Sequence, residues 1–168
     1  MNIRNRMLVI SLWLSVIGFS TWIGGTLYQM LVVVPMWSVS PPDSVRWFFH
    51  TTQYNHLIFR FFGPPFMLAR TLPVLAALII GWHLPRQRRA LLLASACLVF
   101  AVVFTLLYVY PMNAVLFERA GGHLGTEEVQ ALAERWIFAD RFRFAVGVVG
   151  FLALMHAFRL PLPDEETR

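Results

Sequence analysis

The chain has 168 residues, 58% hydrophobic and only 14% charged, where a soluble domain carries about 25% charged residues. Its net charge of +5 rests on arginine alone, with no lysine. The apolar residues are gathered into long blocks, which excludes an ordinary soluble domain; the basic residues read as membrane topology and not as a nucleic-acid surface.

The first apolar block covers residues 7–37. It is about twice the length of a secretory h-region and no small-residue cleavage site follows it, so a retained membrane span is expected. It holds closely spaced small residues, Gly18, Thr21, Gly24 and Gly25, and ends "YQMLVVVPMW" with Tyr28 and Pro35. An outer loop over 38–63 follows, containing His56 and Arg60. In "FFGPPFMLARTLP" the two prolines disfavour helix before them and suit a first helical turn, so the second span is expected over 64–83. Arg70 then lies roughly 9 Å inside that span, at about 1.5 Å per residue. The third block, 90–112, ends "TLLYVYPMNAVLF", with Tyr108, Tyr110, Pro111 and Asn113 crowded at one end. Its Cys97 is the sole cysteine, which excludes an intrachain disulfide and thiol exchange by a cysteine pair. After a second outer loop, 113–135, the fourth block covers 136–160 and carries Trp136, Asp140 and Arg143.

Each block holds about 20 residues or more, enough to cross ~30 Å of hydrocarbon as a helix. The expected fold is therefore all-α: one integral membrane four-helix bundle spanning residues 1–168. Arg4 and Arg6, then Arg86, Arg88 and Arg89, then Arg159 mark the same side, so both termini are expected in the cytoplasm of a bacterial inner-membrane, multi-pass protein.

Two segments echo each other. "YQMLVVVPMW" and "LYVYPMNAVL" share a Val-x-Pro-Met step, and "LIFRFFG" and "DRFRFAVG" share Phe-Arg-Phe around Arg60 and Arg143. The pattern suggests a tandem helix-pair duplication. A proline inside a helix frees the carbonyl four residues earlier, here those of Leu31 and Leu107; the alternative is that both helices end there, at the interface.

Ionisable residues inside a span are costly and mark candidate sites. Arg70 and Arg143 qualify, with Arg60 nearer the surface, against one acid at comparable depth, Asp140. Asp140 and Arg143 are three apart on a helix and can pair directly. The alternatives are a purely structural staple, or a cationic pocket open to the outer face for an anionic or quinone-like oxygen, ringed by Tyr28, Tyr108, Tyr110 and Asn113. Trp22, Trp37 or Trp136 would pack on an aromatic ligand, and His56 lies toward the same outer end. Haem and metal are not expected: His83 and His156 fall at headgroup depth, no span carries the Glu-x-x-His pattern of a di-metal bundle, and the outer histidines have no specific spacing. No cofactor is assigned by any motif; a quinone suits the expected pocket.

The order of motifs carries a resemblance. A Gly-rich first helix ends in Pro ("GGTLYQMLVVVPMW"); "NHLIF" enters the second; the third ends "YPMNAVL"; the fourth begins "WIFADRFR". This resembles the anthrone oxygenase-like family of small four-helix membrane proteins. Family members carry Asn-x-Pro-x-Asn at the end of the third helix, of which Pro111 and Asn113 match and the first Asn is missing. They carry Trp-x-x-x-Asn-x-x-Arg in the fourth, of which Trp136 and Arg143 match while Asp140 stands for Asn. Fungal members are implicated in oxidising anthrones to anthraquinones. The resemblance implies an oxidoreductase acting on a hydrophobic phenolic or quinol-like aromatic; the residues themselves suggest Asp140, which departs from the family's Asn, as base, since Asn could only hydrogen-bond, with Arg143 as oxyanion partner and Tyr110 and Asn113 in the catalytic wall. Arg70, Arg60, Tyr28, Tyr108, Trp136 and His56 would bind the substrate. A non-catalytic lipid- or quinone-binding subunit of a larger membrane complex or homo-oligomer is the main rival reading, and a transporter the second.

Overall fold

The computed structural model describes residues 2–51, 60–119, 122 and 124–162. Among these, every regular element is helical. Helix α1 runs Ile3–Ser38. A short α2 covers Asp43–Arg46 and continues as a π-turn over Trp47–Thr51. Helix α3 runs Arg60–Ile80, α4 Pro85–Glu118 and α5 Thr126–Arg159. Gly63 breaks the first turn of α3, and the regular helix starts at Pro64, where the missing amide of proline costs nothing. At the head of α5 the Gly125 amide donates to the Glu128 carboxylate at 2.9 Å, capping an otherwise orphaned donor.

Three helices, α1, α3 and α4, are long and apolar enough to cross a membrane. Their outward faces agree with that: Leu31, Leu107 and Ile79 are 68–75% exposed. A soluble bundle would put polar groups there; here the helices are apolar all round. The fourth expected span lies within α5, which is longer than predicted and carries Asp140, Arg141 and Arg143 in its middle; it is not one of the three.

The long helices form a ring: α1 packs on α3, α3 on α4, α4 on α5 and α5 on α1. Glycines allow the close approaches. A Cβ on Gly150 would stand 2.8 Å from the Cβ of Cys97, between α5 and α4. A Cβ on Gly18 would stand 3.1 Å from the Arg70 Cα, between α1 and α3. One end of the ring gathers the topology arginines: the Arg4 side chain donates to the Ile80 carbonyl at 3.1 Å, and Gln87 donates to the Leu160 carbonyl at 3.4 Å. This is the arginine end; the other is the proline end, after Pro35 and Pro111.

Neither proline ends its helix. In both cases the helix widens into a π-turn just before the proline, Gln29–Val33 and Thr105–Val109, and α-helix resumes over Val34–Ser38 and Tyr110–Asn113. The residue before each proline donates five back, Val34 to Gln29 and Tyr110 to Thr105. One extra residue in the turn absorbs the ring that would otherwise collide with the preceding carbonyl. Of the two alternatives, the prolines lie inside their helices and do not end them. The Phe-Arg-Phe half of the echo fails: Arg60 is exposed at the start of α3, whereas Arg143 is buried.

Candidate functional site

The buried residues form two separate apolar clusters. One, toward the arginine end, includes Leu12, Trp22, Val74, Leu98 and Leu154. The other, toward the proline end, includes Val33, Trp37, Phe49, Val109, Phe117 and Trp136. Each long helix changes character where it passes from one cluster to the other. On α1 the buried face reads Trp22, Thr26, Gln29, Val33; on α4 it reads Leu98, Ala101, Thr105, Val109. On α5 Asp140 and Arg143 follow Ala139, and on α3 Arg70 precedes Val74. A polar layer built by all four long helices therefore divides the core.

Within it Arg143 donates to the Thr105 hydroxyl at 3.0 Å and to the Asp140 carboxylate. The pair forms as its spacing predicts, across one turn of α5, and the π-turn starting at Thr105 presents the hydroxyl from α4. Asp140 is 1% and Arg143 6% exposed. Among the described residues, Asp140 Oδ2 and Arg143 Nε have no hydrogen-bond partner.

Arg70 reaches the layer from α3 and is 2% exposed. Its guanidinium carbon lies 4.4 Å from the centroid of the Trp22 ring. Trp22 is held in turn by Gly147, where a Cβ would come within 2.2 Å of the indole. Arg143 and Tyr110 lie within electrostatic reach of Arg70, and the Tyr110 hydroxyl points at Met67 Sδ, 3.7 Å away. Arg70 Nε and Nη1 have no hydrogen-bond partner among the described residues. A cation–π contact contributes about 2 kcal/mol when desolvated, whereas removing an ion from water costs several kcal/mol. Trp22 alone does not offset that cost. Among the described residues the layer holds two guanidinium groups and one carboxylate, a formal excess of one positive charge, with three buried arginine nitrogens that have no hydrogen-bond partner there. Fixed guanidinium donors beside a carboxylate are the chemistry that suits a planar oxyanion and a proton acceptor next to it.

The other expected residues divide clearly. Asn113 accepts from Trp136 Nε1 at 2.6 Å. Trp136 packs edge-on against Trp37 and Phe117, inside the proline-end cluster. Those two residues thus roof the polar layer and do not contact the arginines in this structure. Tyr28 and Tyr108 are 59% and 47% exposed and face outward, so they do not ring the layer. Helical phase explains it: Tyr108 is out of step with Thr105 and Val109, the residues that turn inward. Arg60 is exposed, and His56 lies outside the described residues. The expected opening toward the outer face is corrected as well, since Arg70, Asp140 and Arg143 are all enclosed.

Four contributors were not singled out from sequence. Thr105 holds Arg143; Trp22, one of three tryptophans considered, is the one that meets an arginine; Thr26 and Gln29 bury unpartnered side-chain oxygens. A signal existed for two of them. Gln29 and Thr105 both stand six residues before the prolines, in register within the repeated segment. Among the described residues no group of three His, Cys, Asp or Glu converges for a metal.

A family model for anthrone oxygenase matches residues 54–153, taking in α3, α4 and most of α5 with Arg70, Thr105, Asp140 and Arg143. No curated protein and no solved structure matches the chain.

Proposed function

The chain belongs to the anthrone oxygenase family, and on that premise we propose that it is a membrane-embedded oxidoreductase of hydrophobic phenolic, anthrone or quinol-like substrates. The single observation that carries this reading is the excess positive charge of the enclosed layer, with Asp140 Oδ2 idle beside it.

The substrate's acidic hydrogen passes to Asp140 Oδ2. The negative charge gathers on the aromatic oxygen, where Arg143 Nε and Arg70 Nε and Nη1 stabilise it, and Trp22 keeps Arg70 in place. For an anthrone the proton leaves the methylene carbon. Dioxygen then takes up the electrons: one oxygen atom becomes the new carbonyl and the other leaves as water with the two methylene hydrogens. For a hydroquinone two protons and two electrons pass to dioxygen, giving quinone and hydrogen peroxide. Exclusion of water from the layer keeps the electrostatic contacts strong.

In this reading α5 is the fourth membrane span, tolerated because its charged face turns to the interior. The arginine end faces the cytoplasm of a bacterial inner membrane, with both termini inside.

The test uses the full chain purified in detergent, with anthrone as probe, following dioxygen uptake and anthraquinone formation. Wild type is expected to accelerate both over the detergent blank, and Arg143→Ala to abolish the gain. Equal rates in the two overturn the reading. Retention of added quinone by wild type and not by Arg143→Ala, without turnover, favours the ligand-binding subunit instead.

A further inference from the structure

The long helices differ in how far they exceed a bilayer. Helix α3, Arg60–Ile80 with 21 residues, rises roughly 30 Å and matches the hydrocarbon by itself. Helices α4 and α5, with 34 residues each, rise about 50 Å. Helix α1 has 36 residues and lies alongside α3 throughout: Leu8 meets Gly81, Gly18 meets Arg70 and Gly25 meets Phe61. Tilt therefore does not absorb the excess length. Most of it projects beyond the start of α3, toward the proline end.

Four outward-facing residues, one from each long helix, mark where that excess begins. Arg60 on α3 and Arg141 on α5 are exposed, as are Tyr28 on α1 and Tyr108 on α4. All four stand level with the polar layer. Gly25, one turn before Tyr28, faces Phe61, next to Arg60. Phe142, next to Arg141, packs on Phe104, and Phe104 packs on Tyr108, with ring centroids 5.7 and 5.1 Å apart. The distance from this level to the arginine end is alike on every helix. Leu8 to Tyr28, Arg60 to Ile80, Arg89 to Tyr108 and Arg141 to Arg159 all rise roughly 27–30 Å. Between the two levels the outward residues are apolar: Leu14, Leu72, Phe100 and Leu152 are 43–61% exposed. Beyond the layer they are mixed, with Asp43, Arg46, Glu127, Glu128, Glu134 and Arg135 exposed. Leu31, Leu107 and Phe138 stay exposed within a turn of the level, inside the headgroup zone; Val39 and Trp47 farther out are single apolar residues among charged ones.

We propose that the lipid boundary opposite the arginine end lies at this level: Arg60 and Arg141 bind headgroup phosphates there, Tyr28 and Tyr108 lie among the headgroups, and the proline end stands about 15 Å clear of the hydrocarbon as a cap over the polar layer. The proposal rests on the reading of α5 as the fourth span. With the bilayer centred on the layer instead, Arg60 and Arg141 would sit bare at mid-membrane, where an exposed charge is costly. At the boundary the same guanidinium forks meet phosphate oxygens, which they fit. Tyrosine is the residue expected at that depth, a ring in the apolar zone with a hydroxyl toward water. The division of the core follows as well. A cap in water needs an apolar interior of its own, and the cluster around Trp37, Phe49 and Phe117 supplies it. The enclosed arginines then lie at headgroup depth, beneath the cap, and not at the bilayer midplane.

The test uses the full chain in vesicles of phosphatidylcholine and phosphatidylglycerol in equal amounts. Cys97, the sole cysteine, becomes alanine. Nitroxide labels are then placed one at a time on exposed positions of α5, as Glu134→Cys, Phe138→Cys, Ala145→Cys and Leu152→Cys. Leu14→Cys on α1 reports on the bilayer in the same preparation. Collision of each label with dioxygen, which concentrates at the bilayer centre, is compared with collision with a water-soluble nickel chelate. The oxygen-to-nickel ratio is expected to be highest at Leu152, to fall through Ala145 and to be lowest at Glu134. Arg60→Leu with Arg141→Leu removes both phosphate contacts. The boundary is then expected to move outward by one turn, ~5 Å, so that the Phe138 label loses nickel contact. Arg60→Lys with Arg141→Lys is expected to keep the boundary in place. A ratio highest at Phe138 centres the bilayer on the polar layer and overturns the proposal. Unchanged nickel contact at Phe138 in the leucine pair also overturns it. Nickel contact at all four α5 positions, with Leu14 still shielded, overturns the reading of α5 as a span and the proposal with it; the absence of any maximum along α5 distinguishes that result from a misplaced boundary.

Discussion

The guanidinium of Arg70 stands over the indole of Trp22, 4.4 Å from the ring centroid, and the benzo edge of the same indole rests on Gly147. An arginine on α3 is thereby positioned by a tryptophan on α1 that needs a glycine on α5. A Cβ at Gly147 would lie 2.2 Å from Trp22 Cζ3, closer than side chains can approach. Gly147→Ala is expected to cost about 1–3 kcal/mol, as overpacked cores do, and to lower the thermal midpoint in detergent. Combining it with Trp22→Leu should recover stability but not ligand retention, because Arg70 then has no ring beneath it. Full retention in the double variant would show that Trp22 does not position Arg70.

Thr105 is the only hydroxyl that meets Arg143 among the described residues. Thr105→Val has nearly the same shape and removes the acceptor, leaving a buried N–H unpaired. The expected loss is about 1–3 kcal/mol. Thr105→Ser keeps the hydroxyl and is expected to lose less than half as much, as read from thermal unfolding of the two variants side by side.

Asp140→Asn keeps the side chain's size and its hydrogen bond to Arg143 while removing the proton acceptor. Oxidation of anthrone is expected to slow by about 10²–10⁴-fold, with quinone binding retained. An unchanged rate would assign the base to another group.

Gln29 offers a sharper separation of stability from function. Its Oε1 is buried without a partner, and the residue is 5% exposed. Replacing an unsatisfied polar group by an apolar one of similar shape is neutral or stabilising. Gln29→Leu is expected to leave the thermal midpoint unchanged or raised while weakening retention of hydroxylated quinones. A marked drop in stability would mean that the amide is satisfied in the folded protein.

The Trp136–Asn113 hydrogen bond, 2.6 Å long, joins α5 to α4 in the roof of the layer. Trp136→Phe and Asn113→Leu are each expected to destabilise, and a double-mutant cycle should give a coupling of about 1 kcal/mol. Zero coupling would mean that the bond is not formed in detergent.

Much of this protein was legible from residue order because hydrocarbon is a severe solvent. A helix in lipid must satisfy its own backbone, so length and apolarity alone locate the apolar helices. The same rule makes charge inside a span conspicuous, which is how Arg70, Asp140 and Arg143 stand out, and spacing along one helix suffices to pair Asp140 with Arg143.

What lies across helices was not available in that way. Tyr28 and Tyr108 lie beside the polar layer along their helices but face outward; for Tyr108 the π-turn over Thr105–Val109 shifts the helical phase, which residue count alone does not reveal. Thr105, Thr26 and Gln29 look unremarkable one at a time; they matter because four helix faces converge where two apolar clusters part. Sequence by itself determined the class of solvent, the helices and the excess of buried cations, since these follow from local composition. Only the tertiary structure decided which tryptophan meets an arginine and which tyrosines face away, since those depend on rotation about helix axes and on glycines that let one helix approach another.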